Sequence, residues 1–260
     1  MKKLELKRLI GLFSIAVLLI SLCSSCEKTM ADEAESDQDA LEKYDYISSV
    51  DQQMAASFDS INVPGLPDCL ANYLDSLPAE AISESELNTL KFVREEEFLA
   101  HDVYVALYEQ FNIPVFNNIS KSESFHTNMI LALLQKYDID DPAADHQPGV
   151  FVNTDLQEYY DQLIALGSTS VNDAIIVGAT IEDLDIADIQ THLEEDVDKE
   201  DITFVLTQLS KGSRNHLRAF NAHLVFRDIT YNAQFISQEY YDEIVLSDWE
   251  VGGGICGVCP

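Results

Sequence analysis

The chain is 260 residues long and carries 46 acidic against 15 basic residues, a formal net charge of −31. A surface of that sign repels polyanions, so nucleic acid is excluded as a partner; it attracts cations, or simply keeps the chain soluble. The length suffices for one sizeable domain with a tail.

Residues 1–26 have the layout of a secretory signal. Lys2, Lys3, Lys7 and Arg8 precede an almost unbroken apolar run from Ile10 to Leu22, which ends in Cys23-Ser24-Ser25-Cys26. The run is short for a spanning helix. The segment resembles a bacterial lipoprotein signal, which implies lipidation of Cys26 and anchoring to a membrane of the cell envelope, periplasmic or surface-facing. A retained anchor and a signal cut elsewhere are the alternatives. Residues 27–82 read as an acidic tether followed by an N-terminal extension. There the turn-forming Val63-Pro64-Gly65-Leu66-Pro67 leads into a short helix around Cys69 to Leu74.

Residues 83–245 carry four long amphipathic helices with an extra short one between the second and third, an all-α bundle. The first opens with a capping box, Ser83 and Glu86, and its apolar stripe is Leu90, Val93, Glu97, Ala100, Tyr104, Leu107, Phe111. Glu95 and Glu96 fall on the flanks. The second runs from about Phe116 to Tyr137, with Ile119, Glu123, His126, Ile130 and Leu133 on one face. A loop with Pro142 and Pro148 leads to the short helix, Thr154 to Leu166, whose Tyr159 and Tyr160 are expected to pack. Ser170 caps the third long helix, whose stripe is Val171, Ala174, Gly178, Glu182, Asp185, Ile189. Asp183, Asp188, Glu194, Glu195 and Asp196 lie off it and read as a solvated face. The fourth starts near Asp198 and carries Ile202, Val205, Leu209, Gly212, His216, Ala219 and His223. Arg214 and Arg218 flank His216, where they could offset buried carboxylates.

Each stripe is thus interrupted by groups that do not belong in a core: Glu97, Glu123, His126, Glu182, Asp185 and His216. A buried carboxylate or imidazole is costly without a compensating partner. Singly, each is explained by a polar neighbour. Together, four carboxylates and two imidazoles match the donor set of a dinuclear iron or manganese centre, with zinc also compatible.

The stretches Arg94-Glu-Glu-Glu-Phe-Leu-Ala-His-Asp-Val-Tyr104, Ser122-Glu-Ser-Phe-His126, Gly178-Ala-Thr-Ile-Glu-Asp-Leu-Asp-Ile-Ala-Asp188 and Gly212-Ser-Arg-Asn-His-Leu-Arg-Ala-Phe220 resemble the DUF2202 family, assigned to the ferritin-like superfamily. Within it the likeness is to rubrerythrin-type bundles, and the match departs at Ser213, where those carry a further Glu before His216. The resemblance implies a ferritin-like four-helix bundle with Glu97, Glu123, His126, Glu182, Asp185 and His216 as metal ligands. The resemblance settles no reaction: one reading of the centre is an oxidoreductase acting on peroxide, dioxygen or ferrous iron, taking electrons from an external donor or from the Cys256/Cys259 pair. A non-catalytic envelope metal-binding or structural bundle is the other reading, and a homodimer is a compatible assembly. Residues 246–260 form a Gly- and Cys-rich tail. Its Cys256 and Cys259 are expected to form a local disulfide, or a redox pair serving the metal centre, and Cys69 is left over.

Overall fold

The computed structural model describes residues 63–251. The signal with Cys26, the acidic tether, and Cys256 and Cys259 lie outside the described residues. Within them the chain is all-helical, with one isolated bridge between Gln147 and Val150. The helices are α1 (Asp68–Ser76), α2 (Glu84–Phe111), α3 (Pro114–Lys136), α4 (Thr154–Gly167), α5 (Val171–Glu195), α6 (Glu200–Phe226) and α7 (Gln238–Leu246).

Local chemistry sets the ends of these helices. At the start of α2 the Glu86 amide donates to Ser83 Oγ at 3.1 Å and the Ser83 amide to Glu86 Oε2 at 2.7 Å, the reciprocal pair that a capping box requires. Asn112 stops α2 in the left-handed region (φ 53°), and Pro114 opens α3 at a position where its missing N–H costs nothing. So short a link forces α2 and α3 antiparallel. Ser170 caps α5 by accepting the Asp173 amide at 3.1 Å. α1 buries Leu70, Ala71 and Leu74 beside α3, and Lys136 Nζ donates to the Leu74 and Leu77 carbonyls at its end. Cys69, unassigned from the sequence, is disulfide-bonded.

Four long helices close into a bundle: α2 packs on α3, α3 on α6, α6 on α5, and α5 on α2. α4 lies against α2 and α5, and α7 against α6. The apolar core is divided in two. One cluster gathers Leu99, Tyr104, Phe116, Ile175 and Phe220; the other gathers Leu90, Ile130, Leu133, Ile202 and Leu209. Between them runs a layer of buried polar side chains. Gly178 lets α5 and α6 approach closely, since a Cβ there would sit 2.3 Å from the Phe220 ring.

The structure adds α7 to the expected helices and corrects one expectation. Asp183, placed on a solvated face, is fully buried. The chain after α6 folds back over α5, and Asp183 accepts from the Gln234 amide at 2.6 Å, the Ile236 amide at 2.8 Å and the Tyr231 hydroxyl at 2.9 Å. Burial raises its pKa, while those donors work against the shift. Helical periodicity describes one helix at a time and cannot see a returning segment that covers its outer face.

Truncating Asp183 takes the acceptor from the buried Tyr231 hydroxyl and from the part-buried amides of Gln234 and Ile236, a costly loss. Asp183→Ala is therefore expected to lower stability in urea titrations by roughly 3 kcal/mol. Glu195→Ala, exposed on the same helix, should stay within about 0.5 kcal/mol of the parent.

Candidate metal centre

The polar layer is assembled from one side chain of α2 (Glu97), two of α3 (Glu123, His126), one of α5 (Glu182) and one of α6 (His216). Each sits where the apolar stripe of its helix passes the gap between the two core clusters. All are at most 5% exposed. They form two triads, Glu97/Glu123/His126 and Glu123/Glu182/His216, whose donor atoms lie within 4.8 Å of one another.

Glu123 belongs to both. Its Oε2 lies 2.7 Å from His126 Nδ1 and its Oε1 2.8 Å from His216 Nδ1. His126 Nδ1 is also 3.2 Å from Glu97 Oε2, and His216 Nδ1 is 3.4 Å from Glu182 Oε2. The two imidazoles stack at 5.6 Å between centroids. In the second triad Glu123 Oε1, Glu182 Oε2 and His216 Nδ1 crowd together, yet none has a geometrically acceptable hydrogen bond. Buried polar atoms are rarely left so. With the imidazole neutral, the converging lone pairs of this triad are what a cation between them would satisfy.

Electrostatics point the same way. Burial drives Glu97 up to about 7, held back by His126 and pushed further by the Glu123 charge. Burial alone would lower His126, but Glu123 and Glu97 outweigh it and raise it to about 10. His216 is raised well above its ordinary value in the same manner by Glu123 and Glu182. Glu123 resists its own burial because His216 and His126 hold it well below the usual carboxylate range. Glu182 is raised by burial. In a metal-free chain this layer balances its acids with protons on its imidazoles.

Asp185, counted among the ligands from the sequence, is buried nearby but joins neither triad. Burial and then Glu96, Glu182, Glu97 and Glu123 raise its pKa well above normal. Ser213 spends its hydroxyl on the Leu209 carbonyl at 3.1 Å and offers no carboxylate. Arg214 and Arg218 do not face the acids: both grip Glu250, Arg218 also reaches the Ile244 carbonyl, and together they pin the segment after α7. Their spacing along the helix did not reveal which side they leave by. Tyr104 packs between Phe116 and Phe220 and donates its hydroxyl to Glu182 Oε1. His223 lies outside both triads, and Arg227 reaches its carbonyl at 3.0 Å.

The α2 motif divides its labour. Its Glu97 enters the layer, while Arg94 pairs with Asp141 and Glu95 accepts the Val152 and Asn153 amides. Asp102 takes the Gly149 amide and His146. These three hold the loop between α3 and α4. Sequence reading also missed Gly212, where a Cβ would lie 2.6 Å from His126 Cε1 and Nε2, so the bare α-carbon makes room for that ring. A glycine on the stripe, one turn before His216, was the available signal.

These motifs fall within a single family match. The profile described as "Uncharacterized protein domain (DUF2202)" matches residues 86–248, which contain every side chain of the layer. The uncharacterized protein MJ0754 of Methanocaldococcus jannaschii is 46% identical over 183 residues, 70% of this chain and 98% of its own. The crystal structure of hypothetical protein MJ0754 from Methanococcus jannaschii aligns with a TM-score of 0.66 at 47% identity, covering 67% of this chain and 99% of that one. With the match running through the bundle from the first turn of α2 to the end of α7, this chain belongs to the DUF2202 family.

Proposed function

We propose that the bundle is a metal-binding protein of ferritin-like type, holding a pair of divalent cations between its four long helices. The single observation that carries this reading is Glu123, whose two oxygens each face a different triad and so can join two cations. Glu97, Glu123 and His126 would hold one, and Glu123, Glu182 and His216 the other. Oxygen and imidazole donors without thiolate suit iron or manganese, with zinc also accommodated. When bound, iron or manganese would supply a redox couple for peroxide, dioxygen or ferrous-iron chemistry.

The chain's own residues would do the rest. Leu99, Ile119, Phe116 and Phe220 on one side and Leu90, Ile130 and Leu209 on the other keep bulk water from the layer. Tyr104 fixes one oxygen of Glu182 and leaves the other turned inward. Ser213 favours a second reading, a binding module without turnover, because it leaves Glu123 as the one carboxylate shared between the triads. In either reading the N-terminal Cys26 would carry the lipid that tethers the bundle to the envelope.

Elemental analysis of the mature chain, purified without affinity metals and reconstituted with ferrous iron, should give two equivalents. Glu123→Ala should lose both, and Gly212→Ala, which pushes His126 aside, should lose one; no metal in the parent chain sinks the proposal. Metal-dependent peroxide consumption separates an enzyme from a binding module.

A second test uses acidity. Glu97 and His126 are raised from 4.5 to about 7 and from 6.5 to about 10, so the folded metal-free chain holds extra protons across that span. Their contributions are whole below the unfolded values and lost as pH climbs through the folded ones. Glu182, Asp185 and His216 shift the same way. Glu123 runs opposite, its contribution fading only in acid. Chelator-stripped chain should therefore lose Tm steadily between about pH 5 and 9, and bound cation, by replacing those protons, should flatten or reverse the slope. Cys26→Ser, finally, should move the chain from the membrane fraction to the soluble one in fractionated cells.

A further inference from the structure

His216 is held at both of its nitrogens by consecutive residues of α3. Glu123 Oε1 lies 2.8 Å from Nδ1, and Ser122 Oγ lies 3.0 Å from Nε2. The two contacts differ in kind. At Nδ1 the oxygens of Glu123 and Glu182 are close, but neither makes an acceptable hydrogen bond. At Nε2 the Ser122 contact is a hydrogen bond of ordinary length. A neutral imidazole carries one N–H and one lone pair, and the partner at one nitrogen decides which nitrogen keeps the proton. His126 is governed differently: its Nδ1 faces Glu97 and Glu123, while its Nε2 edge lies against the bare α-carbon of Gly212.

We propose that Ser122 is a positioning residue for the second triad: by accepting the Nε2 proton of His216 it fixes the tautomer that turns the Nδ1 lone pair toward the cation shared with Glu123 and Glu182. This rests on the metal reading above. It assigns a function to a residue that is not itself a ligand, and it makes the two triads chemically distinct. Ser122 is half-buried at the edge of the layer and belongs to neither triad and neither core cluster, so its replacement leaves the ligands and the clusters in place. Partners that orient a ligating imidazole in this way are typically worth 10–100-fold in metal affinity.

Zinc, a diamagnetic ion, is the probe. Competition titrations of the mature chain, of Ser122→Ala and of Ser122→Thr are combined with two-bond proton–nitrogen correlation spectra of the histidines. The parent chain should take two equivalents, with His216 bound through Nδ1 and protonated at Nε2. Ser122→Ala should weaken one equivalent by about 10–100-fold and leave the other unchanged, while Ser122→Thr, which keeps the hydroxyl, should hold both. Equal affinities in parent and Ser122→Ala, or zinc bound at Nε2 of His216, would overturn the assignment of Ser122 and leave the metal reading standing. A parent chain that takes no zinc overturns both. Thermal melts of the metal-free variants confirm that each folds, and should Ser122→Ala not fold, the His216 spectrum of Ser122→Thr decides: Nδ1 binding upholds the assignment and Nε2 binding overturns it.

Discussion

The bundle depends on how it tolerates charge at its centre. Five ionisable side chains from four helices meet in a layer sealed on both sides by apolar residues, where unpaired carboxylates would be strongly disfavoured. Protonated imidazoles compensate the acids in the metal-free chain. The side chains nearby are shaped around the layer. Glycine at 212 admits an imidazole, Tyr104 occupies one carboxylate oxygen, and the core stops on either side of the layer.

The same helices carry a second set of buried polar contacts with a different purpose. Asp183, Glu95 and Asp102 accept backbone amides from loops and from the segment beyond α6, and Arg214 and Arg218 on α6 donate to Glu250 in the segment after α7. They are satisfied in the static structure and need nothing further. The contrast between a carboxylate that is fully hydrogen-bonded and one that is not distinguishes the loop anchors from the layer, although Asp183, Glu95 and Asp102 are buried like the layer itself.

That contrast also marks what the sequence could and could not reveal. Glu97, Glu123, His126, Glu182 and His216 were legible because each falls on an apolar stripe, and stripe position depends on helical periodicity alone. Helix starts at Ser83 and Ser170 were legible because a cap is written in a few adjacent residues. The burial of Asp183, the outward turn of Arg214 and Arg218, and α7 itself were not, since all depend on where the chain beyond α6 returns. Asp185 sits on the stripe and still joins neither triad. Periodicity fixes the face of a helix that a residue occupies, and the reach of its side chain toward a common point is a separate matter.

Glu86 carries a consequence for the shape of the layer. Its Oε2 closes the cap of α2, while its Oε1 accepts the amides of Asp198 and Lys199 at the threshold of α6. α2 and α6 stand diagonally across the bundle, so this one carboxylate works as a spacer bar between opposite corners. Eleven residues further along α2, about 16 Å at the helical rise, the same diagonal separates Glu97 from His216. The residue that caps one helix thus also ties down the start of the helix opposite, at the end of the bundle from which α2 runs on to the layer.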